Sequence, residues 1–120
     1  MTTDYPRPSN WIAETIEAGA TFKRTLNYKD STGAVVDLTG YSVRGMLRRN
    51  YSDAAPALDM ASFITIASPA TGGIINWVIP AASTAGLGGK YVFDLELVSG
   101  GGEVTRILQG EVQVIPEATK

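Results

Sequence analysis

The chain contains 120 residues, 44% of them hydrophobic, and carries a formal net charge of −2 at pH 7. This length and hydrophobic content suit a folded domain rather than a disordered chain, and the charge offers no basic field for nucleic acid. Cysteine and histidine are both absent, which excludes disulfides, thiolate or imidazole catalysis and the commonest zinc sites. We therefore expect no cofactor, no bound metal and no enzymatic activity.

No segment has the features of a membrane span or an export signal. The longest apolar run falls far short of the roughly 20 residues that cross a bilayer. The N-terminus, MTTDYPRPSN, is polar and contains two prolines, unlike a secretion signal. We expect synthesis in a reducing cytoplasm, with neither nucleic acid nor a membrane among the partners.

Residues 1–10 are predicted to form a flexible N-terminal arm. Pro6 and Pro8 bias their neighbours away from the α region, and Tyr5 alone offers apolar bulk. The arm is either a frayed terminus or a segment that becomes ordered on a partner. In the second case Tyr5 and Trp11 would be the anchors, and the prolines would reduce the entropy lost on docking. Tyr5, Pro6, Pro8 and Trp11 are accordingly the candidate partner-binding residues.

Residues 11–120 are predicted to form one domain built from short strands. Apolar and polar residues alternate through most of this region, and signals rich in Gly, Asp, Ser and Pro interrupt them. The predicted strands cover residues 11–17, 21–28, 34–36, 41–49, 63–66 and 75–79 and both arms of a hairpin at 89–115. A single short helical turn is predicted at 80–87, because proline fits a first helical turn and Gly86 or Gly88 can end it.

The hairpin is the most continuous signal in the chain. Its first arm alternates strictly, and glycines at 100–102 supply the backbone freedom that the reversal requires. Gly110 interrupts the return arm and predicts a β-bulge. Tyr91, at the start of the first arm, either forms a tyrosine corner, in which its hydroxyl bonds back to the preceding loop, or simply begins the strand.

Seven to eight short strands at spacings of about ten residues predict an antiparallel β-sandwich. Arg24 shares the parity of the core positions, so we expect its guanidinium to reach solvent while its stem packs. The predicted core consists of Phe22, Leu26, Tyr41, Val43, Leu47, Ile75, Trp77, Phe93, Leu95 and Val112.

Two carboxylates could in principle perform chemistry. Asp94 and Glu96 lie on one face of a strand, roughly 7 Å apart, and paired acids can serve hydrolysis or calcium binding. They fall on the outer face of an open sheet, where the sequence implies no pocket. We therefore expect a solvated face, with Arg44 and Arg48 as cross-strand partners if their strand lies alongside.

Two further motifs have ordinary structural explanations. The glycine-rich run at 86–90 lacks both the first glycine and the Ser/Thr of a phosphate loop, and it precedes a strand, so a turn is expected. Trp11 and Trp77 could stack on a sugar, but Trp77 lies on an apolar face and belongs in the core. A carbohydrate site usually has several aromatic residues on one exposed face, and the sequence alone does not assemble such a face.

Asp30, Gly33 and residues 37–41 form the pattern D-x-x-G-x-x-x-D-L-T-G-Y, and the hairpin block at 89–110 follows it. In this order the two blocks resemble small Ig-like β-sandwich domains of tailed-phage virions, including N-terminal domains of upper baseplate proteins. Residues 89–97 and 105–110 are similar to the family's closing hairpin, and 73–88 fits its strand, helical turn and glycine corner. The resemblance covers roughly residues 20–116 and implies an Ig-like fold.

The resemblance implies a non-catalytic virion component that docks other virion proteins and is oligomeric in the assembled particle. Longer family members continue into a fibre or adaptor region after this domain, which favours a stand-alone component here. The expected place is the baseplate or the attachment region of tail fibres. Capsid decoration is the first alternative, a carbohydrate-binding adhesion module the second, and a hydrolase using Asp94 and Glu96 the third.

Overall fold

The computed structural model describes residues 10–119. Within that range lie eight strands: β1 (Trp11–Glu17), β2 (Phe22–Asn27), β3 (Ser42–Arg48), β4 (Leu58–Asp59), β5 (Ile64–Ile66), β6 (Ile74–Ile79), β7 (Gly89–Val98) and β8 (Val104–Ile115). One short α-helix, α1 (Ala81–Thr84), occupies the region predicted to be helical, and single 3-10 turns lie at Ala61–Phe63 and Ala70–Gly72.

The strands form two sheets, a five-stranded sheet in the order β1-β8-β7-β3-β4 and a three-stranded sheet in the order β2-β6-β5. The predicted Ig-like β-sandwich is thereby confirmed. The expectation of purely antiparallel pairing is wrong at one edge, because β1 pairs with β8 in parallel. After Glu17 the chain turns at Gly19, whose φ is +83°, and crosses to the other sheet. β1 therefore has no hairpin partner next to it in sequence and pairs with the last strand instead.

The core lies between the sheets and is centred on Trp77. Its side chain is completely buried and meets Phe22 edge-on at a ring distance of 4.8 Å and Phe93 at 5.3 Å. All the predicted core residues are confirmed as buried or packed against the buried cluster. The buried core also contains Ile16, Leu38, Met60, Ile64, Ile79, Tyr91, Leu97 and Val114.

The closing hairpin forms as predicted, but its irregularity lies elsewhere. The register shifts between Leu95, which pairs with Leu108, and Glu96, which pairs with Arg106, so Ile107 is the extra residue. Gly110 pairs regularly with Phe93, and the predicted bulge at Gly110 is wrong. Gly110 instead leaves space for β1, because a Cβ at this position would collide with the backbone of Ile12. Its missing side chain is what allows β1 to approach β8.

Tyr91 forms the corner that the sequence suggested. Its side chain is buried, and its hydroxyl accepts a hydrogen bond of 3.0 Å from the backbone N–H of Gly88. The guanidinium of Arg49 lies 4.1 Å above the ring centre. These contacts fix the loop that leads from α1 into β7.

Thr84, at the end of α1, secures the turn between β1 and β2. It is fully buried, and its Oγ1 donates to the carbonyl of Ala20 at 2.8 Å and accepts from the N–H of Gly19 at 3.1 Å. A buried hydroxyl with both a donor and an acceptor partner is well satisfied. The short helix is thus tied to the point where the chain changes sheets.

The two Asp-x-Thr-Gly segments form matching turns. Oδ1 of Asp30 accepts from the N–H of Thr32 at 2.9 Å and from its hydroxyl at 2.6 Å, and Asp37 bonds Thr39 with the same two distances. These hydrogen bonds, led by the one from the threonine hydroxyl, hold the pKa of each aspartate below its usual value. Residues 34–36, predicted as a strand, contribute only an isolated bridge between Lys29 and Val35.

Candidate partner-binding surface

The outer face of the five-stranded sheet brings together residues from distant parts of the chain. Strand register places Trp11 beside Gln109, Gln109 beside Asp94, and Asp94 beside Met46. These four partly exposed side chains form one row across β1, β8, β7 and β3. The sequence predicted the outward direction of Asp94 but could not place Trp11 on the same face, because that depends on the parallel pairing of β1.

A charged cluster lies beside this row. Nε of Arg44 meets Oε1 of Glu96 at 2.8 Å, which confirms the predicted cross-strand pair. Arg106 of β8 joins it, with Nη2 3.4 Å from Glu96 and Nε 3.5 Å from Asp94. Within residues 10–119 Arg48 does not pair with a carboxylate as expected, because its guanidinium bonds to its own strand and the following loop. It donates to the carbonyl of Asp53 at 2.7 Å and to the sulfur of Met46 at 3.3 Å.

Asp94 is the least satisfied member of the cluster. It accepts no hydrogen bond from the residues that the structure describes, and its nearest cation is Arg106 at 3.5 Å. Burial, followed by repulsion from Glu96, raises the pKa of Asp94, and the surrounding arginines oppose this shift only in part. The carboxylate pair is therefore more enclosed than the solvated face that the sequence suggested.

A groove of about 270 Å³ explains this enclosure. We call it the outer-face groove. Its walls include Arg44, Met46, Arg48, Tyr51, Asp94 and Glu96. Tyr51 stands in the loop after β3 and has 45% of its surface exposed. The expectation that no pocket accompanies the carboxylates is wrong, because Tyr51 lines a groove together with outward side chains of β3 and β7.

Trp11, the one candidate partner-binding residue inside the described range, begins β1 at the edge of the five-stranded sheet. The other candidates, Tyr5, Pro6 and Pro8, lie outside the described residues. Asn10, which the sequence assigned to the arm, is bonded to β8: its Nδ2 donates to the carbonyl of Arg106 at 3.0 Å, and its Oδ1 accepts from Nε2 of Gln109 at 3.0 Å. The arm therefore enters the sheet at a fixed point.

The far side of β1 is an open edge. Asn10 accepts from the N–H of Gln109, and Ala18 donates to the carbonyl of Ile115. In a parallel ladder alternate residues direct their backbone groups to the same neighbour, so Ala13 and Thr15 point theirs away from β8. Between residues 10 and 119 no strand pairs with this side of β1. A depression of about 250 Å³ lies on the outer face of the sheet, across β1, β8 and β7, and is lined in part by Ala13, Glu111 and Lys90.

Among residues 10–119 no group of three or more carboxylates is placed to hold a metal ion. Over the same residues no helix has the length and apolar character needed to span a bilayer.

Neither the protein-family models nor the curated proteins contain a match to this sequence. Among solved structures, the chain is similar to part of the endo-β-1,4-mannanase from Thermotoga petrophila, with a TM-score of 0.52 and 13% identity over 87% of this chain. It spans only 18% of the mannanase chain. At this identity the similarity concerns the fold alone.

Two looser similarities involve proteins with other roles. The extracellular domain of the voltage-gated sodium channel beta4 subunit gives a TM-score of 0.41 at 8% identity, over 96% of this chain and 99% of that one. The sialic acid binding region of a Streptococcus sanguinis SK1 adhesin gives 0.39 at 16% identity, over 95% of this chain and 29% of that one.

Proposed function

We propose that this protein is a non-catalytic structural component of a tailed-phage virion, which docks other virion proteins in the baseplate or where tail fibres attach. The observation that carries the proposal is the open edge of β1, which continues directly into residues 1–9. A strand edge that no other strand of residues 10–119 covers is a natural docking surface for another chain. The phage assignment comes from the sequence signature.

Docking would rely mainly on backbone hydrogen bonds, and side-chain contacts would add to them. A partner strand laid against β1 would bond the backbone groups of Ala13 and Thr15, and the ladder would extend into the arm. Tyr5 and Trp11 would be the anchors, and Pro6 and Pro8 would limit the ordering cost of roughly 1–2 kcal/mol per residue. Aromatic anchors beside a strand ladder are a common way to combine affinity with register.

The edge is selective because β1 carries a charge that points inward. The carboxylate of Glu14 faces the space between the sheets and has only 14% of its side chain exposed. An inward-facing charge on an edge strand discourages indiscriminate pairing with other strands. A docking partner must leave the pair between Glu14 and Arg24 intact, which restricts both its register and its side chains.

The phage proposal is tested by locating the protein in particles. Antibodies raised against the recombinant protein would be used for immunogold labelling of particles of the phage that encodes this chain. Gold at the baseplate or at fibre attachment points is the expected result. Gold on the head would favour capsid decoration, the alternative place within the virion. Particles that contain no copy of the protein, by labelling and by mass spectrometry, would contradict the proposal.

The docking role is tested separately by removing the arm. A protein that begins at Asn10 keeps the bonds of that residue to β8, whereas one that begins at Ile12 loses them. We expect the first variant to melt like the full chain but to be missing from particles. Normal incorporation of the Asn10 variant would mean that attachment does not use residues 1–9.

A further inference from the structure

The outer-face groove contains hydrogen-bonding groups that residues 10–119 leave unused. Arg44 bonds Glu96 through Nε only, so within the described range its Nη1 and Nη2 atoms have no hydrogen-bond partner. Asp94 likewise accepts no hydrogen bond inside residues 10–119 although it is partly buried. The groove thus offers strong donors and a strong acceptor a short distance apart on neighbouring strands.

The same groove has an apolar wall. Tyr51 is 45% exposed as a whole residue, and Met46 and Val92 also line the cavity and are partly exposed. An exposed aromatic ring beside charged groups suits a ligand that has an apolar face and a polar rim. The volume of about 270 Å³ admits a small ring-sized group rather than a folded element.

We propose that the outer-face groove binds a saccharide, with one pyranose ring against Tyr51 and neighbouring hydroxyls shared between Asp94 and Arg44. A hydroxyl group both donates and accepts, so adjacent hydroxyls can satisfy a carboxylate and a guanidinium at once. An acidic peptide is a poorer match, because Asp94 and Glu96 would repel its carboxylates. A basic peptide is also poorer, because Arg44 and Arg48 of the groove would repel it, as would Arg106 beside Asp94.

This inference does not depend on the phage proposal, because it uses other residues. The docking ladder would use the open side of β1, whereas the groove lies between β3 and β7, on the outer face that it shares with Trp11. In strand spacings of about 4.8 Å, β1 and β3 are roughly 14 Å apart. One chain could therefore be held in an assembly through β1 while the groove remains accessible to a glycan.

The test is a titration of the full-length, ¹⁵N-labelled chain with single sugars, followed by NMR. The probes are methyl α-glucoside, methyl β-galactoside, methyl α-rhamnoside and N-acetylglucosamine. Each is added to about 50 mM, above the roughly millimolar Kd expected for so small a ligand. We expect at least one sugar to shift amide signals in residues 44–51 and 92–96 selectively.

Two variants and two controls link the shifts to named side chains. Tyr51→Ala and Asp94→Ala should each weaken binding about tenfold, whereas Tyr51→Phe, which keeps the ring, should bind nearly as the native chain does. Glu111→Gln lies on the same face outside the groove and should change nothing. The inference is overturned if none of the four sugars shifts these amides, if the shifts map to another surface, or if both alanine variants bind normally. The map on the native protein decides the question even if an alanine variant fails to fold.

Discussion

Arg24 of β2 and Glu14 of β1 join the two sheets through a bidentate pair, with Nε–Oε2 and Nη2–Oε1 distances of 2.8 and 2.9 Å. The same guanidinium lies 4.4 Å above the ring of Phe22, which packs on Trp77. This contact explains why Arg24 alternates in step with the core residues of β2. Its guanidinium plane covers the edge of the aromatic core. The pair closes the side of the sandwich where β1 is the last strand.

Breaking this pair should loosen the closed side of the sandwich. We expect Arg24→Gln to lower the free energy of unfolding by about 1 kcal/mol, since Arg24 is 43% exposed and solvent screens part of the attraction. Chemical denaturation of Arg24→Gln, Glu14→Gln and the double variant would give the coupling energy. Zero coupling, or coupling unaffected by salt, would contradict an electrostatic role.

Trp77 should dominate the packing of the core. Replacing it with alanine leaves a cavity between the sheets, and we expect a loss of about 3–5 kcal/mol of unfolding free energy. Trp77→Phe should cost clearly less, because Nε1 of Trp77 has no hydrogen-bond partner in the described part of the chain. Thermal melts of both variants provide the measurement. A melting temperature that barely changes in the alanine variant would be incompatible with the buried position.

Gly110 should determine whether β1 stays attached. A Cβ there collides with the backbone of Ile12, which cannot rotate away as a side chain could. We expect Gly110→Ala to destabilise the protein by about 1–3 kcal/mol and to accelerate amide hydrogen exchange over residues 11–17. Gly100→Ala in the hairpin turn is the matched control, because a Cβ placed there would be 3.6 Å from the carbonyl oxygen of Gly40, an ordinary contact. Equal exchange in the two variants would rule out this account of Gly110.

Asp94 should contribute more to stability at low pH, where its carboxyl group is protonated, than at neutral pH, where it is charged. Burial raises its pKa in the folded protein above the unfolded value of about 3.9. The stabilising contribution of such a group is complete below that unfolded value and is lost as the pH rises through the folded pKa. At pH 7 the charge opposes folding, so Asp94→Asn should be at least as stable as the native chain.

The difference in unfolding free energy between Asp94→Asn and the native chain isolates the pH dependence that Asp94 contributes. Asp30 and Asp37 have lowered pKa values, so their contributions have the opposite sign and are lost as the pH falls. They are present in both proteins and cancel in the difference. Denaturation midpoints at several pH values should show the advantage of the asparagine variant shrinking below about pH 4. If the stability advantage of Asp94→Asn instead grew as the pH fell, the predicted sign of the Asp94 contribution would be wrong.

Local patterns were sufficient to predict most strands and the core. β1 and the start of β7 fall where the alternation of residues placed them, because a strand with one buried face repeats every two residues. Leu38 and Met60 were missed because they enter the core from irregular segments, where no period distinguishes a buried residue.

Relations between distant strands could not be predicted in the same way. The parallel partner of β1 and the extra residue at Ile107 are set by register across the sheet, which a single sequence does not encode locally. The outer-face groove needs β3 beside β7 and the loop of Tyr51 above both. The sequence predicted that the charged residues of the groove point outward. Their enclosure depends on how the strands and the loop pack together, which the sequence pattern does not show.

The parallel pairing of β1 with β8 also determines how the protein would bear mechanical load. Both strands run the same way, so the chain enters β1 beside Gln109 and leaves β8 beside Glu17, at opposite ends of a ladder roughly 20 Å long. Tension between residue 10 and residue 115 would slide the two strands along each other. Every hydrogen bond of the ladder would then resist together, instead of opening one after another as in a zipper. If two partners pulled on the domain, one at each end, the parallel pairing of β1 with β8 would by itself increase its resistance to rupture.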